Sequence, residues 1–211
     1  MNMDKDSKPA TGFAQPLEAE WLARARAGER VAQGLIYRRY ETAVYTLLRR
    51  MVDCADTAAD LMQDSFLDAF TRIHQFRGES PFGYWLRAVA ASRALMHLRG
   101  QRRFLELFAP EAEVDLVPSF DVHQLDLERA LGALPPLPRA VLWLYHVEGY
   151  THAEIAAMNN KTESFSKSQL ARAHQRLREL LGVVSEPASA RAAPDAPPSP
   201  PSAALTAATE C

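Results

Sequence analysis

The sequence is poor in cysteine and lacks any long apolar run. Cys54 and Cys211 are the only cysteines among 211 residues, which is too few for a disulfide framework or a cysteine-rich zinc cage. The histidines are scattered at positions 74, 97, 123, 146, 152 and 174, so we predict no metal site and no cofactor. No segment reaches the roughly eighteen consecutive apolar residues of a spanning helix, and no apolar secretory core stands near residue 1. We therefore expect a cytoplasmic protein without membrane insertion.

The charge balance gives no functional signal for the chain as a whole. The formal net charge is −2, and 47% of the residues are hydrophobic, as in an ordinary globular protein. Any contact with nucleic acid must come from a local basic segment, and residues 99–103 contain three arginines. The composition thus allows a nucleic-acid partner without indicating one.

Apolar residues recur at helical spacing over most of the chain, and no segment alternates as a strand does. Ile36, Tyr40, Val44 and Leu47 share one helix face. Ser80 followed by Pro81 is a helix start signal, with serine as N-cap and proline at the first helical position. The pattern predicts an all-α fold.

A proline-containing acidic stretch divides the helical pattern into two parts. We expect two small helical domains joined by a flexible linker, with disordered termini. The predicted divisions are a disordered N-terminal extension at 1–17, a first domain at 18–103, a linker at 104–127, a second domain at 128–182 and a disordered Pro/Ala-rich tail at 183–211.

The second domain carries the spacing of a helix-turn-helix. Thr151 and Glu154 stand as a capping box at the start of a short helix. Asn160 can adopt the left-handed conformation of a turn, and Thr162 can cap a final helix to about Leu181. Two helices joined by a short turn indicate helix-turn-helix.

The final helix has an apolar face and a polar face. Leu170, Ala173 and Leu177 share the apolar face. The polar face offers Lys167 and Arg172 among other donors suited to base edges and phosphates in a major groove. From this helix alone, a solvated surface and a DNA-reading surface are equally good interpretations.

Four motifs, taken together, resemble one known family. LPPLPRAVL at 134–142 and VEGYTHAEIA at 147–156 resemble the fourth region of extracytoplasmic-function sigma factors of RNA polymerase. DLMQDSFLDAF at 60–70 resembles the polymerase-binding helix of that family, and FRGESPFGYWL at 76–86 resembles its strand-opening segment. The motifs stand in the order and spacing of the family.

The resemblance implies a non-enzymatic subunit that binds core RNA polymerase and promoter DNA. The implied polymerase-binding residues are Asp60, Leu61, Gln63, Asp64 and Leu67. The implied contacts with the proximal promoter element are Tyr84, Trp85, Arg87, Ser92, Arg99, Arg102 and Arg103. The implied contacts with the distal element are Thr162, Ser164, Lys167, Ser168, Gln169, Arg172 and Arg176, of which we expect Gln169 and Arg172 to read base edges. For Phe82 and Leu86, core packing is the better interpretation.

The start of the polymerase-binding helix departs from the family pattern. Members commonly have Asp-Ala-Glu-Asp where this chain has TAAD at 57–60, so two negative charges are missing. Phosphorylation of Thr57 by a serine/threonine kinase would restore charge there, and an anti-sigma factor is the other regulator that the resemblance implies. Alternatively, Thr57 or Asp56 only caps the helix.

Other functions remain open at this point. One is a helix-turn-helix regulator that binds DNA without polymerase, and another is a sigma-derived interaction protein without promoter selectivity. A metal-assisted hydrolase built on His146, His152 and Glu154 is disfavoured, because the capping box already accounts for Glu154.

Overall fold

The computed structural model describes residues 12–52, 54–108 and 127–181. No strand occurs among these residues, which confirms the predicted all-α class. The α-helices, in chain order, are α1 (Ala19–Arg26), α2 (Arg30–Met51), α3 (Ala55–Thr71), α4 (Phe82–Phe108), α5 (Leu127–Gly132), α6 (Pro136–His146), α7 (His152–Met158) and α8 (Glu163–Leu180). No helix in these three ranges is both long and apolar enough to cross a membrane.

The described residues form two compact units. The first contains residues 12–48 and 58–93, and the second contains the described residues of 49–57 and 94–181. Helices α2, α3 and α4 contribute residues to both units, so the division differs from the boundaries at 103 and 128 that we predicted. The predicted boundaries lie at the ends of predicted helices. A helix is held by local hydrogen bonds along its whole length, so one helix can pass from one compact unit into the next.

The core of the first unit is the apolar stripe predicted from the sequence. Ile36, Tyr40 and Val44 of α2 are completely buried, as is Ala69 of α3. Phe66 of α3 is also buried, and its ring centroid lies 4.6 Å from that of Tyr37. Burial of these large side chains supplies the main stabilisation of the unit, since the free energy scales with the apolar area removed from water.

An aromatic cluster encloses the start of α4. The ring centroid of Phe82 lies 5.3 Å from that of Phe76, 5.4 Å from that of Trp85 and 5.9 Å from that of Tyr40. Phe82 is 4% exposed and Leu86 is completely buried. Core packing is thus confirmed for Phe82 and Leu86.

Residues 12–18, which we call the arm, pack on the first unit. Tyr40 Oη donates a hydrogen bond of 2.8 Å to the carbonyl of Gln15, and burial raises the pKa of Tyr40 to about 12. Arg39 donates to the carbonyl of Pro16 at 2.5 Å and to Glu18 at 3.0 Å. The prediction of disorder at 1–17 is therefore wrong for residues 12–17, while residues 1–11 lie outside the described part. The arm is held through its backbone carbonyls, and amino-acid composition does not reveal such contacts.

Helix α4 differs from the prediction at both ends. It begins at Phe82, one residue later than the Ser80-Pro81 signal indicated, and it continues to Phe108. The first residues of the predicted linker, 104–108, are therefore helical, in keeping with the good helix formers Leu105, Glu106 and Leu107. The predicted linker from 109 to 126 and the predicted tail from 183 lie outside the described residues.

The second unit is built around α8. Helices α5, α6 and α7 all contact it, and the buried side chains include Val141, Leu144, Ile155 and Ala173. The turn before α7 uses Gly149 at φ 75°, and the turn before α8 uses Asn160 at φ 48°, so the left-handed residue predicted for that turn is confirmed. The packing fixes which side of α8 faces solvent.

Replacing Gly83 with alanine should destabilise the first unit. A Cβ at this position in the first turn of α4 would overlap the backbone carbonyl of Phe13 and lie 2.8 Å from Cε1 of Tyr40. We expect Gly83→Ala to lower the free energy of unfolding by about 1–3 kcal/mol, because the arm must shift. Urea denaturation followed by circular dichroism measures this.

Gly100→Ala is the matched control in the same helix. A Cβ at Gly100 meets nothing within 4 Å, so alanine should raise stability by about 0.5–1 kcal/mol through its better helix propensity. Equal stability of Gly83→Ala and wild type would show that the arm does not pack against α4 as described.

Candidate functional site

Four side chains on one side of α3 form what we call the α3 surface: Asp60, Gln63, Asp64 and Leu67. Asp60 and Gln63 are exposed, and Leu67 is 65% exposed although it is apolar. Spacings of three and four residues place them on neighbouring turns. An exposed leucine flanked by acidic and amide groups is a surface suited to a protein partner that has basic and apolar residues.

Two polymerase-binding residues implied by the resemblance have other roles in the structure. Leu61 is 5% exposed and belongs to the core, so the expectation that it contacts polymerase is wrong. Asp64 Oδ2 lies 3.0 Å from Arg93 Nη2, and Asp68 Oδ2 lies 3.5 Å from Arg93 Nη1. Arg93 of α4 therefore anchors the edge of the α3 surface. Its carboxylate partners lie on the preceding α-helix, and no sequence signal predicts that pairing.

The start of α4 keeps its aromatic residues partly buried. Trp85 is half-buried, with its ring centroid 5.7 Å from that of Phe76. Tyr84 is half-buried, and the guanidinium carbon of Arg87 lies 5.1 Å from the centre of its ring. Arg87 is 8% exposed, so the expectation that it contacts promoter DNA is wrong in this conformation. A cation over an aromatic face is stabilised where the long arginine stem is also buried.

The second half of α4 presents arginines of two kinds. Arg102 and Arg103 are exposed, whereas Ser92 and Arg99 are half-buried. Arg99 Nη1 donates a hydrogen bond of 2.8 Å to the carbonyl of Asn159, in the turn between α7 and α8. Arg99 must release this carbonyl before it can contact a phosphate with that nitrogen.

The turn between α7 and α8 also buries a side-chain amide. Asn159 is 1% exposed, and neither its Nδ2 nor its Oδ1 has a hydrogen-bond partner within the described ranges. A buried amide without partners costs free energy. The carbonyl of the same residue is satisfied by Arg99, so the turn is held through its backbone.

The helix-turn-helix begins with the predicted capping box. Thr151 Oγ1 accepts a hydrogen bond of 3.2 Å from the backbone N–H of Glu154, and Thr151 N–H donates one of 2.8 Å to Glu154 Oε2. This confirms the box and accounts for the Glu154 carboxylate. Thr162 occupies the N-cap position of α8 as predicted, but its side chain makes no cap hydrogen bond. Its hydroxyl remains exposed at the helix start.

One side of α8, which we call the α8 face, is exposed: Ser164, Lys167, Ser168 and Arg172. Lys167 Nζ lies 3.3 Å from Glu163, with 60% of the lysine side chain exposed, and Ser168 Oγ donates to the carbonyl of Phe165 at 3.0 Å. An exposed ion pair of this kind is weak and is easily exchanged for a phosphate. The α8 face is thus a small surface with cationic and hydroxyl donors.

Gln169 lies on the opposite side of α8 from this face. It is 2% exposed, so the expectation that it reads a base edge is wrong. Ser166, Gln169, Leu170 and Ala173 are all buried, and their spacings of three, one and three residues define one helix stripe. In the sequence, only the apolar residues of this stripe indicate a buried face. Gln169 has the same helical spacing, so its position in the stripe was the available signal for its burial.

Arg176 is less accessible than the α8 face. Its side chain is 25% exposed, and Nη1 lies 2.8 Å from Glu179 Oε2. Contact with a phosphate would require exchange of this partner.

A partly buried polar pair joins α7 to α8. His152 Nδ1 lies 3.0 Å from Ser166 Oγ, and the ring of His152 stacks on Tyr145 with centroids 4.6 Å apart. Burial, followed by the positive charge of Lys167, lowers the pKa of His152. The neutral imidazole is therefore favoured in the folded state. Sequence reasoning missed Ser166, whose position in the buried stripe was the available signal.

Comparison with known proteins matches both parts of the chain. The family model for sigma-70 region 2 matches residues 36–104, and the model for sigma-70 region 4 matches residues 124–177. The two matches follow one another in the chain, and the second contains the helix-turn-helix described above.

Two similar proteins are both named as RNA polymerase sigma factors. The chain is 31% identical over 186 residues to the ECF RNA polymerase sigma factor SigM of Mycobacterium tuberculosis, covering 84% of this chain and 92% of that protein. It is 31% identical over 170 residues to the RNA polymerase sigma factor CarQ of Myxococcus xanthus, covering 76% and 95%.

Among solved structures, the sigma factor RpoE of Bartonella quintana, in complex with the anti-sigma factor NepR, is similar. The TM-score is 0.46 at 25% identity, covering 67% of this chain and 91% of that chain. Because both sigma-70 regions are matched and the relatives align along most of their length, the chain belongs to the extracytoplasmic-function family of RNA polymerase sigma factors.

Proposed function

We propose that this sigma factor, a non-enzymatic subunit that directs transcription initiation, binds core RNA polymerase through the α3 surface. It reads the distal promoter element as duplex DNA with the α8 face. The observation that carries the proposal is the outward position of Lys167, Ser168 and Arg172 on a helix whose opposite stripe is buried.

The residues of the α8 face have different tasks in this proposal. Arg172 is exposed on the third turn of α8. An arginine side chain can donate bidentate hydrogen bonds to O6 and N7 of guanine. Lys167 lies nearer the helix start, where ammonium groups and backbone N–H groups hold phosphates without reading sequence. Ser164 and Ser168 add hydroxyl groups that suit either contact, and Thr162 adds one at the N-cap.

In the same proposal, residues of α4 contact the proximal promoter element. Arg102 and Arg103 are exposed on its second half and would neutralise phosphates of the strand. Tyr84 and Trp85 are half-buried, so each leaves part of an aromatic surface for stacking with a base. Arg99 joins them after it releases the carbonyl of Asn159.

The α3 surface fits the polymerase because it combines charge with an apolar centre. Leu67 supplies apolar area at 65% exposure, and Asp60 supplies a negative charge about two turns earlier on the same side of the helix. Complementary charge on a partner raises the association rate and fixes orientation, while the leucine adds buried area.

Replacing Arg172 should change promoter preference. In holoenzyme reconstituted with core polymerase, Arg172→Ala should lose about 1–3 kcal/mol of discrimination at one base pair of the distal element. Lys167→Ala should instead weaken binding to all sequences and reduce the dependence on salt. Selection from a library of randomised duplexes, followed by affinity measurements in a salt series, separates the two effects.

Gln169→Leu is the matched control for the buried stripe. Since Gln169 is 2% exposed, leucine should leave the selected sequence unchanged. A changed base preference in Gln169→Leu, with none in Arg172→Ala, would contradict the assigned orientation of α8.

Charge reversal at Asp60 should weaken polymerase binding without unfolding the protein. Asp60→Lys should lower affinity for core polymerase about tenfold at low salt, with a smaller loss at high salt because exposed charges are screened. Glu79→Lys makes the same charge change at an exposed position outside α3 and should bind as wild type does. Fluorescence anisotropy of labelled protein measures the affinities, and equal losses for both variants would contradict a specific α3 surface.

Thr57 is placed where a phosphate would be stabilised. Helix α3 begins at Ala55, so Thr57 lies in its first turn, where the helix dipole favours an anion. The backbone N–H and then the hydroxyl of Thr57 donate hydrogen bonds to Cys54, and these bonds lower the pKa of the Cys54 thiol. Because the helix starts before Asp56 and Thr57, neither residue stands at the N-cap position.

We infer that phosphorylation of Thr57 by a serine/threonine kinase strengthens polymerase binding. The phosphate would add about −1.5 to −2 charge one turn before Asp60, on the side of the helix that leads to the α3 surface. Binding of an anti-sigma factor is the alternative regulation that the family resemblance implies.

The phosphate switch predicts an order of affinities for core polymerase. Thr57→Glu should bind at least about fivefold more tightly than unmodified wild type, whereas Thr57→Val should bind as wild type does. Thr46→Glu, which adds the same charge at an exposed position of α2 outside the α3 surface, is the control for added charge and should give no gain. Wild type binding as tightly as Thr57→Glu, with Asp60→Lys still impaired, would overturn the switch and retain the α3 surface.

A further inference from the structure

Two histidines from different helices face one another in the second unit. His146 is the last residue of α6, and His174 lies in the middle of α8. Their Nε2 atoms are 3.0 Å apart, and the ring centroids are 5.1 Å apart at an interplanar angle of 43°. His146 is exposed and His174 is half-buried. Neither residue has a place in the proposed promoter or polymerase contacts.

Two Nε2 atoms that face one another can interact in two ways. If one ring is protonated at Nε2 and the other is not, they share an N–H···N hydrogen bond. If both are deprotonated at Nε2, both lone pairs can bind one metal ion. Because the bond from imidazole to a divalent transition metal is about 2.0–2.1 Å, two bonds at right angles separate the nitrogens by about 2.9 Å, and two at the tetrahedral angle by about 3.4 Å. The observed 3.0 Å is close to the right-angled value.

We propose that His146 and His174 form a two-histidine chelate for a divalent transition-metal ion, of the Cu(II) or Ni(II) class. Adjacent nitrogens at right angles are typical of the square and tetragonal geometries of these ions. Among the residues the structure describes, no group of three or more histidine, cysteine, aspartate or glutamate side chains converges on one point. Exposure of His146 leaves room for water at the remaining coordination positions.

The surroundings of the pair favour the form of the imidazole rings that can bind a metal ion. Burial, then the neighbouring His146 and Arg178, lower the pKa of His174, and the neutral imidazole is the form that binds metal. The ring of Tyr145 meets that of His146 edge-on with centroids 5.0 Å apart and limits its rotation. The positive charge of Arg178 opposes all of these cations alike, and a preference for Cu(II) over Zn²⁺ comes from the stronger bonds that Cu(II) forms with nitrogen ligands.

Metal binding at this place would tie the end of α6 to the middle of α8. Helix α8 carries the exposed donors of the α8 face, and its packing on α6 fixes their direction. An ion that binds only the folded arrangement stabilises it by mass action. The inference does not depend on the proposed promoter contacts, since it concerns residues outside them.

Titration of the full-length protein with copper(II) chloride or nickel(II) chloride tests the chelate. Isothermal calorimetry should show one equivalent bound by wild type. His146→Gln and His174→Gln should each weaken that event about a hundredfold, because a single imidazole lacks the effective concentration of the second. His146 is exposed, so its substitution leaves the fold intact and keeps the test valid if His174→Gln is unstable. His74→Gln, at an exposed histidine of the first unit, should bind as wild type does.

Two further measurements distinguish the chelate from a hydrogen-bonded pair. The copper(II) electron paramagnetic resonance spectrum of wild type should show coupling to two imidazole nitrogens, and that of His146→Gln to one at most. The ion should raise the melting temperature of wild type and not that of His146→Gln. Affinities that are equal for wild type and both variants, or no wild-type binding at millimolar ion, would overturn the proposal and leave an N–H···N hydrogen bond.

Discussion

The burial of one stripe on α8 determines what the second unit presents to solvent. Ser166, Gln169, Leu170 and Ala173 pack inward, and a helix has only one orientation that buries all of them. Lys167, Ser168 and Arg172 then point outward as a consequence. The same constraint acts on α3, where burial of Leu61 and Phe66 leaves Asp60 and Leu67 exposed. Both proposed interfaces are the faces that remain after core packing.

Polar groups inside the second unit fix the geometry of the helix-turn-helix more narrowly than apolar burial does. The capping box closes the start of α7, and His152 reaches Ser166 across to α8. A hydrogen bond has a preferred distance and direction, whereas apolar contact tolerates sliding. The Arg99 side chain donates a hydrogen bond to the backbone carbonyl of Asn159, so the basic end of α4 is coupled to the turn within the same unit.

Much of the fold was accessible from the sequence because its signals are local. The helical spacing of Ile36, Tyr40 and Val44, the capping box at Thr151 and the left-handed Asn160 each involve residues within a few positions of one another. The failures concern contacts between distant residues. Arg87 and Gln169 resemble DNA-binding side chains in type, and only the neighbours that bury them reveal another role. Residues 12–17 are held in place by hydrogen bonds from Tyr40 and Arg39, and the amino-acid composition of the arm does not reveal these distant partners.

Promoter-directed initiation is the central property of this sigma factor, and the proposed surfaces on α3 and α8 both contribute to it. Run-off transcription with purified protein, core RNA polymerase and genomic template fragments tests this most directly. We expect transcripts with defined start sites that core polymerase alone does not produce, and their templates should share one sequence element upstream of the start. Transcripts identical with and without the protein would contradict it. Retained duplex binding would then indicate a helix-turn-helix regulator, and retained polymerase binding an interaction protein.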